Sequence, residues 1–347
     1  MKNIAVIGCG GQGTWHCKQI MNSNVVTLAG TYDIDPKRMA AAKELGINLY
    51  ESFEAVLGDE KVDAVVIAVP NDDHKELVIK ALNAGKNVIC EKPVEMSVSA
   101  LDEMIDAANK SGKLFTVHQN RRFDVDYLAI KSIVESGEIG DVIRIESRIH
   151  GSRGIPSDWR CTKAQGGGMI LDWGVHLIDQ LLQIFKEKIV SVNCVTTNIT
   201  GTEVDDGFRL DMMFENGKSA YVEVGTYNFI AMPRFYMQCK KGSALISDWR
   251  EETEVALMTA WNEKDVLPVQ TAAGITKTMA PRDEVTLKQY RVPRPESDVH
   301  DFYRNFCLAL DGKADIMVTH AEVRRVMQVM EAAFASAEQG QTLKVNI

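Results

Sequence analysis

The stretch that decides the fold is residues 4–13, Ile-Ala-Val-Ile-Gly-Cys-Gly-Gly-Gln-Gly, near the start of the chain. Four apolar residues predict a short strand, and Gly8, Gly10 and Gly13 follow it in the pattern G-x-G-x-x-G. In a βαβ unit the first glycine permits a tight turn, the second admits a pyrophosphate, and the third lets the helix pack on the strand. Because the pyrophosphate sits on the helix N-terminus, the stretch predicts a dinucleotide site.

The segments that follow alternate between helix and strand patterns. A helix to Met21 and a strand over Val26–Tyr32 come first, and Asp35-Pro36 opens a further helix. The apolar run Val62–Val69 is typical of a strand buried on both faces of a parallel sheet. The other predicted elements are a helix at 72–84, a strand at 87–90, a helix at 97–110 and a strand at 114–117. This alternation predicts a doubly wound parallel sheet in a first domain over residues 1–120.

After about residue 140 the pattern changes to strands of alternating polarity, such as Val142–His150. Further strand-like runs are 189–200, 208–214, 220–227 and 234–239, with helices at 169–185 and 321–337. They predict a second, α+β domain over residues 121–347 with a mostly antiparallel sheet, so that the fold class overall is α/β. Residues 248–295 are polar and irregular and are assigned no element.

Composition excludes several classes of protein. The chain has 347 residues and a formal net charge of −9, which disfavours sequence-independent nucleic-acid binding. No apolar run reaches the roughly 18–20 residues that span a bilayer. The seven cysteines are widely spaced without a C-x-x-C pair, as is typical of free thiols in a reducing compartment. We therefore expect a cytoplasmic protein without nucleic-acid or membrane partners.

An acidic residue closes the second predicted strand. Asp33 lies 20 residues after Gly13, where a carboxylate accepts hydrogen bonds from a ribose 2′-hydroxyl and repels a 2′-phosphate. No arginine follows directly, since the chain continues Ile34-Asp35. The pattern favours NAD over NADP as the cofactor. The alternative is a glycine-rich turn with a strand-end aspartate and no ligand.

A Glu91-Lys92-Pro93 turn falls where the fourth predicted strand ends, at the edge of the sheet where ligands bind. A lysine there can stabilise a developing alkoxide, although a solvated lysine before a turn proline is the alternative. The residues predicted to bind the dinucleotide are Gly8, Gly10, Gly11, Gln12, Gly13, Asp33, Pro70, Asn71, His74, Glu91 and Lys92.

A glycine triplet at 166–168 leads into a predicted helix that carries Asp172 and His176. The spacing of four residues puts both side chains on one helix face. An imidazole accepts protons near neutral pH, and Asp172 can hold a substrate hydroxyl or stabilise the imidazolium. The triplet offers backbone space for a ligand or a mobile lead-in. The alternative is a core histidine satisfied by a nearby aspartate.

Three motifs together resemble the Gfo/Idh/MocA oxidoreductases, a family of glucose–fructose oxidoreductases, inositol dehydrogenases and rhizopine-catabolism proteins. They are GCGGQG at 8–13, Glu91-Lys92-Pro93, and GGGMILDWGVHLID at 166–179, and the resemblance covers essentially the whole chain. It implies that Lys92, Asp172 and His176 form the catalytic trio. It also implies a large open sheet in the second domain that mediates homodimers or homotetramers, and a sugar, cyclitol or related polyol as substrate.

Two further segments resemble cleft-lining parts of this family. They are Asn120-Arg121-Arg122-Phe123, similar to a subgroup with inositol-type dehydrogenases, and Trp159-Arg160. An arginine can clamp a phosphate or carboxylate, and a tryptophan can cover a sugar face. Arg122, Trp159, Arg160 and His176 are therefore predicted to contact substrate. Interdomain salt bridges and packing are the alternative for the first three.

The leading hypothesis is an NAD-preferring dehydrogenase that transfers a hydride between nicotinamide and a hydroxyl-bearing carbon. A second hypothesis keeps NAD tightly bound in a closed redox cycle, with a transient keto-sugar that is epimerised or undergoes elimination. A third, a dinucleotide-sensing module without catalysis, ranks last because all three residues of the trio are present. No metal is expected, since the histidines form no H-x-x-x-H or H-E-x-x-H set.

Overall fold

Five parallel strands make the first sheet of the computed structural model, which describes residues 1–261 and 267–347. Their spatial order is second, first, third, fourth, fifth, so the predicted doubly wound parallel sheet is confirmed. The strands are β1 (Lys2–Ile7), β2 (Val26–Tyr32), β3 (Ala64–Ile67), β4 (Asn87–Cys90) and β5 (Phe115–Val117). The helices of this part are α1 (Gly11–Met21), α2 (Pro36–Glu44), α3 (Phe53–Gly58), α4 (His74–Asn83) and α5 (Val98–Ser111).

Local chemistry explains where these elements lie. The residues of β3 are fully buried, as a strand covered by helices on both faces requires. Asp35 caps α2 by accepting the Lys37 N–H at 2.9 Å, and Ser97 caps α5 in the same way through the Ala100 N–H. Gly112 ends α5 in the left-handed conformation at φ +64°.

The second sheet has nine strands and is antiparallel except where β6 pairs with β9. The strands after β5 are β6 (Val142–His150), β7 (Ile189–Thr197), β8 (Gly207–Phe214), β9 (Ser219–Gly225), β10 (Phe235–Cys239), β11 (Gly242–Ile246), β12 (Thr253–Met258), β13 (Val269–Thr271), β14 (Gly274–Thr276), β15 (Leu287–Val292) and β16 (Leu343–Lys344). Their order in the sheet is β15-β12-β11-β10-β6-β9-β8-β7-β16, and β13 and β14 form a separate hairpin. The predicted large, mostly antiparallel sheet is confirmed.

Four of these strands fall in the stretch 248–295, to which the sequence assigned no element; residues 262–266 of that stretch lie outside the described residues. The outermost strand, β15, is partly exposed along its whole length. Lysine, glutamine and arginine stand between its apolar residues, so the sequence of β15 does not show the alternation typical of a strand.

The remaining helices are α6 (Val125–Ser136), α7 (Val175–Ile184), α8 (His300–Leu310) and α9 (His320–Gln339). One face of the sheet packs on helices, and along β8 Phe208, Leu210 and Met212 are buried while Arg209 and Met213 are exposed. On the opposite, open face several of the described residues are exposed, among them Ile143, Val195 and Met213. None of the helices in the described ranges combines the length and hydropathy of a bilayer-spanning segment.

The carboxyl-terminal part of the chain returns to the first domain. The hydroxyl of Tyr303 in α8 lies 2.6 Å from Nδ1 of His16, and Thr116 donates to the Val318 carbonyl at 3.0 Å. Residues assigned to the second domain thus complete the packing around the first sheet.

Candidate active site

The glycine loop after β1 is too tight for any other residue at two positions. Gly8 has φ +93°, and a Cβ there would lie 2.4 Å from the Ala68 carbonyl oxygen. A Cβ on Gly13 would lie 1.8 Å from the Gly8 carbonyl oxygen. At Gly11 no atom lies within 4 Å of the Cβ position, so the loop is open on that side. This is the cradle that a pyrophosphate needs at the start of α1.

Asp33 lies at the end of β2 with its side chain almost fully buried. Its Oδ2 accepts the Cys9 N–H at 2.6 Å, and its Oδ1 accepts the Asp35 N–H at 2.8 Å. Arg38 reaches back from α2, with Nη1 3.4 Å from Asp33 Oδ2. No arginine follows Asp33 directly in sequence, but the first turn of α2 brings Arg38 back to the carboxylate.

Three distant parts of the chain meet at the carboxyl edge of the first sheet. The ammonium of Lys92 donates to Oδ1 and to the main-chain oxygen of Asp172, both at 3.1 Å. The other oxygen of Asp172 accepts from Nε of Arg160 at 3.2 Å. His176 lines the same pocket. The structure therefore brings together the three residues of the predicted trio and one of the predicted arginines.

Asp172 lies in a short π-helical turn, Ile170–Gly174, that runs directly into α7. The single α-helix predicted over 169–185 is thus a π-turn followed by an α-helix. Gly174 lets this turn approach the sheet, since a Cβ there would lie 2.9 Å from the Phe208 ring. Single π-turns occur frequently at functional sites, where they change the direction of side chains.

The two candidate catalytic side chains, His176 and Asp172, both favour their deprotonated forms. Burial, followed by the positive charges of Lys92 and Arg121, lowers the pKa of His176 well below its ordinary value. Within the described residues Nδ1 of His176 has no hydrogen-bond partner. Burial alone would raise the pKa of Asp172, but Lys92 and Arg160 outweigh it and lower that pKa. At neutral pH the site thus holds a neutral imidazole and an ionised carboxylate.

Asp172 does not contact the imidazole in this structure. Both of its carboxylate oxygens pair with cations instead, because charge-assisted bonds are stronger than a bond to a neutral ring. The structure therefore shows no hydrogen bond through which Asp172 would stabilise an imidazolium at His176.

The pocket has a volume of about 370 Å³, within the range of small-molecule sites. Its walls are polar and come from the glycine loop, the end of β5 and the π-turn. The lining residues are Gln12, Lys92, Asn120, Arg121, Gly154, Pro156, Arg160, Met169, Asp172, Trp173, His176 and Thr226.

Arg122 was predicted to contact substrate, and the structure places it elsewhere. Its guanidinium makes a bidentate pair with Asp179 at 2.7 and 2.8 Å, and it does not line the pocket. The preceding residue, Arg121, lines the pocket instead, with its guanidinium 4.1 Å from the centre of the Trp173 ring. The prediction for Arg122 is corrected because a short 3₁₀ turn sends consecutive arginines in different directions. Salt-bridge pairing, the alternative from the sequence, describes Arg122, although its partners Asp179 and Glu322 lie in the second domain with it.

Of the pair Trp159-Arg160, only the arginine lines the pocket. The guanidinium of Arg160 lies 4.5 Å from the Trp159 ring centre, so Trp159 packs behind the arginine. The predicted substrate contact of Trp159 stays a prediction.

Two residues after β3 that were assigned to the cofactor have structural partners. Asn71 is buried and donates to the Gly166 carbonyl at 3.0 Å. Both ring nitrogens of His74 face main-chain carbonyls, Val69 and Pro93, at 3.0 Å. Because these polar atoms are occupied, the structure gives His74 no free nitrogen for a cofactor. The cofactor contact assigned to Pro70 stays a prediction.

Glu91, the residue before Lys92, lies in a buried cluster of polar side chains. Its Oε1 accepts from Nε2 of His16 and Nδ1 of His118, both at 2.7 Å, and from Nε2 of Gln12 at 3.2 Å. Burial would raise the pKa of Glu91, but the two imidazoles lower it well below its ordinary range. Glu91 is thus an ionised anchor for the loop that carries Lys92, and it is held by His16 and His118, whose pairing with Glu91 was not predicted from the sequence.

Glu91, His16 and His118 form the only group within the described ranges whose ligand atoms lie close enough to hold a metal ion, within 4.8 Å of one another. Sequence spacing missed this group because His16 and His118 follow different strands. Hydrogen bonds to the shared oxygen of Glu91 account for its geometry. The expectation that the protein uses no metal stays a prediction.

Known proteins share this arrangement of domains. Residues 2–119 match an oxidoreductase family with an NAD-binding Rossmann fold, and residues 127–245 match the GFO/IDH/MocA C-terminal domain. The structure is similar to that of an NAD-binding protein from Listeria innocua, with 44% identity and a TM-score of 0.95 over 99% of each chain.

Two curated relatives match part of the chain. Inositol 2-dehydrogenase 2 of Saccharopolyspora erythraea is 31% identical over 229 residues, which are 64% of this chain and 66% of that protein. An uncharacterized oxidoreductase of Schizosaccharomyces pombe is 36% identical over 167 residues, 47% of this chain and 45% of the other, so the match spans about half of that relative. From the two family models, the chain belongs to the Gfo/Idh/MocA family of NAD-binding oxidoreductases.

Proposed function

We propose that the protein is a dehydrogenase that prefers NAD and oxidises a hydroxyl-bearing carbon of a cyclitol, sugar or related polyol, or reduces the matching carbonyl. The observation that carries this proposal is the convergence of Lys92, Asp172 and His176 in one polar pocket. The relative from Saccharopolyspora erythraea, an inositol 2-dehydrogenase, supports a cyclitol or sugar as substrate.

The residues present fit a dinucleotide. Gly8 and Gly13 leave no room for a side chain, Gly11 is open, and Asp33 is a buried carboxylate at the end of β2. We infer that the glycine loop holds the pyrophosphate and that Asp33 accepts a ribose hydroxyl. When bound, NAD supplies the acceptor for the hydride.

His176 has the properties of the base in this reaction. Its imidazole is neutral at neutral pH, and the removal of a hydride from an alcohol requires a group that takes the hydroxyl proton. Lys92 stabilises the substrate oxygen as its negative charge develops. Asp172 holds the Lys92 ammonium at 3.1 Å and fixes where this charge lies.

The charges around the pocket support a neutral substrate over a phosphate or carboxylate. Among the described residues, each cation in the pocket wall is paired with a carboxylate, so none of these positive charges is left uncompensated for an anion. The pairs are Lys92–Asp172 at 3.1 Å, Arg121–Asp124 at 2.9 Å and Arg160–Asp158 at 2.9 Å. The remaining N–H groups of these side chains can donate to the hydroxyls of a polyol.

The test is a substrate panel with purified protein. Cyclitols, free aldoses, sugar phosphates and glycosides are mixed with NAD or NADP, and absorbance of the reduced nicotinamide is followed. We expect reduction of NAD with cyclitols or neutral sugars. Consumption of substrate without net reduction would instead favour the closed redox cycle. The absence of any reaction with NAD binding intact would reject the proposed activity.

We also propose that the protein forms a homodimer or homotetramer through the open face of the nine-stranded sheet. Ile143, Val195 and Met213 are apolar and exposed on its strands, and a closed symmetric assembly would cover them. Light scattering measures the molar mass in solution. A monomer at micromolar concentration would contradict this proposal.

A further inference from the structure

Two tryptophans extend the wall of the active-site pocket. Trp173 lines the pocket directly after Asp172, and its ring centre lies 6.1 Å from that of His176 at an interplanar angle of 72°. The ring centre of Trp249 lies 6.3 Å from that of Trp173, with the two planes tilted by 39°. The three rings therefore form a connected row that begins at the candidate base.

Exposure to solvent increases along this row. His176 is 3% exposed, Trp173 is half-buried, and Trp249 is 41% exposed. Trp249 lies in the turn between β11 and β12, so a part of the second sheet supplies it, whereas the π-turn supplies Trp173. The row therefore leads from the reacting centre to the surface of the protein.

The two indoles differ in how their rings are covered. The guanidinium of Arg121 lies over the Trp173 ring, 4.1 Å from its centre, and a pair with Asp124 at 2.9 Å holds it there. Trp249 is one of the large apolar side chains that stay exposed in the described part of the chain. Because the removal of apolar surface from water is favourable, its exposed ring is the part of the row that a ligand gains most by covering.

Polar groups border the exposed ring. Asp248 and Arg250 flank Trp249 in its turn, and Oδ1 of Asp248 accepts from Nε and from the main-chain N–H of Arg250, both at 3.1 Å. At least half of each of these two side chains is exposed, so donors and acceptors remain for a ligand. A sugar ring has an apolar C–H face and hydroxyls around its edge, so it matches an aromatic plane with polar groups beside it. A purely aromatic or aliphatic group would leave these polar groups unused.

We propose that Trp249 is a specificity-determining residue that stacks on a second sugar ring, so that the preferred substrate is a disaccharide or a glycosylated cyclitol rather than a single ring. The inference rests on the proposed dehydrogenase function. The reacting ring lies in the pocket of about 370 Å³ beside Lys92 and His176, and the glycosidic bond directs the second ring past Trp173 onto Trp249. The second ring takes no part in the chemistry, and its binding energy holds the reacting carbon in place.

The kinetic test compares disaccharides of glucose, galactose or mannose with the free monosaccharides. In the wild type, kcat/KM should be about tenfold higher for at least one disaccharide than for its monosaccharide. In Trp249→Ala this advantage should disappear through a rise in KM, and Trp249→Phe, which keeps an aromatic face, should retain part of it. An advantage that survives in Trp249→Ala, or no advantage for any disaccharide in the wild type, would overturn the proposal.

Trp261→Ala is the matched control for the loss of an exposed indole. Trp261 is 72% exposed and has the guanidinium of Arg282 4.6 Å from its ring centre, but it does not line the pocket. This variant should keep the wild-type preference for the disaccharide. An equal loss of that preference in Trp261→Ala and Trp249→Ala would contradict a specific role for Trp249.

A second readout does not depend on turnover. Saturation-transfer difference NMR of the protein with NADH and each disaccharide shows which sugar ring contacts the protein. We expect signals from both rings in the wild type, and weaker signals from the second ring in Trp249→Ala. If the signals of the second ring do not change in that variant, the proposal is wrong, even if dehydrogenase activity is found. If they weaken but no sugar is oxidised, the proposed function fails while the second subsite stands.

Discussion

The Lys92 ammonium and the Asp172 carboxylate lie 3.1 Å apart, and this pair joins the end of β4 in the first domain to the π-turn in the second. Both side chains are mostly buried, which strengthens the interaction relative to a surface pair. The pair explains why the motif around Lys92 and the motif around His176 act together although they are far apart in the chain.

Replacing Lys92 tests this pair. Lys92→Ala removes the charge that stabilises the reacting oxygen, so we expect kcat to fall by about 10²–10³-fold. NAD affinity, measured by fluorescence titration of NADH, should change less than about threefold, since the glycine loop is intact. The control is Lys75→Ala, because Lys75 pairs with Glu103 at the surface of the same domain. Wild-type turnover by Lys92→Ala would remove Lys92 from the mechanism.

His176 should behave as a base that is neutral over the whole physiological range. Because its pKa is lowered by burial and then by Lys92 and Arg121, it protonates only well below its ordinary value. His176→Gln keeps a polar side chain without the basicity, and we expect a loss of about 10²–10⁴ in kcat at every pH above neutrality. The pH–rate profiles of the two proteins provide the check. A histidine-dependent limb near or above neutral pH would contradict this assignment.

The adenosine end of the cofactor site should depend on both Asp33 and Arg38. Asp33→Ser removes a charged hydrogen-bond acceptor, so NADH binding should weaken by about 1.5–3 kcal/mol. It also frees Arg38 to pair with a 2′-phosphate, so NADPH binding should tighten. Adding Arg38→Ala to Asp33→Ser should remove the gain for NADPH. Lys37→Ala is the matched control, since Lys37 is exposed in the same turn and its side chain does not contact Asp33. Equal effects of Lys37 and Arg38 would refute a specific role for Arg38.

Replacing Arg122 should affect stability, whereas replacing Arg121 should affect substrate binding. Arg122→Ala leaves Asp179 as an uncompensated buried charge, so the free energy of unfolding should fall by about 3–5 kcal/mol. Arg121→Ala removes a partly exposed side chain of the pocket wall, so stability should change little while KM for the polyol rises. Denaturant unfolding and steady-state kinetics of both variants separate the two roles. Similar kinetic defects in two equally stable variants would mean that the pocket boundary is wrong.

Local patterns predicted the first domain well. The glycine loop, the acidic residue at the end of β2 and the buried run of β3 depend on neighbours in sequence, so periodicity and turn chemistry suffice to find them. The edge strand β15 was missed because its polar residues face solvent.

Contacts between distant residues were beyond such patterns. Whether Arg121 or Arg122 lines the pocket depends on the direction of one 3₁₀ turn. The binding of His16 and His118 to Glu91 depends on where two strands end. The contact of Asp205 is of the same kind, since its carboxylate accepts the main-chain N–H groups of Met169 and Ile170 from 35 or more residues further along the chain. The type and spacing of residues predict which reactions or contacts a side chain can support. The tertiary fold decides which partner the side chain binds and where it points.

The most direct test of the proposed dehydrogenase activity follows the transferred hydrogen. Cyclitols and neutral sugars deuterated at their carbinol carbons are incubated with the protein and NAD, and the nicotinamide product is analysed by mass spectrometry. We expect deuterium on the reduced nicotinamide from at least one polyol, and its loss in Lys92→Ala and His176→Gln. Deuterium transfer that is undiminished in both variants, or no transfer from any polyol while NAD binds, would contradict it.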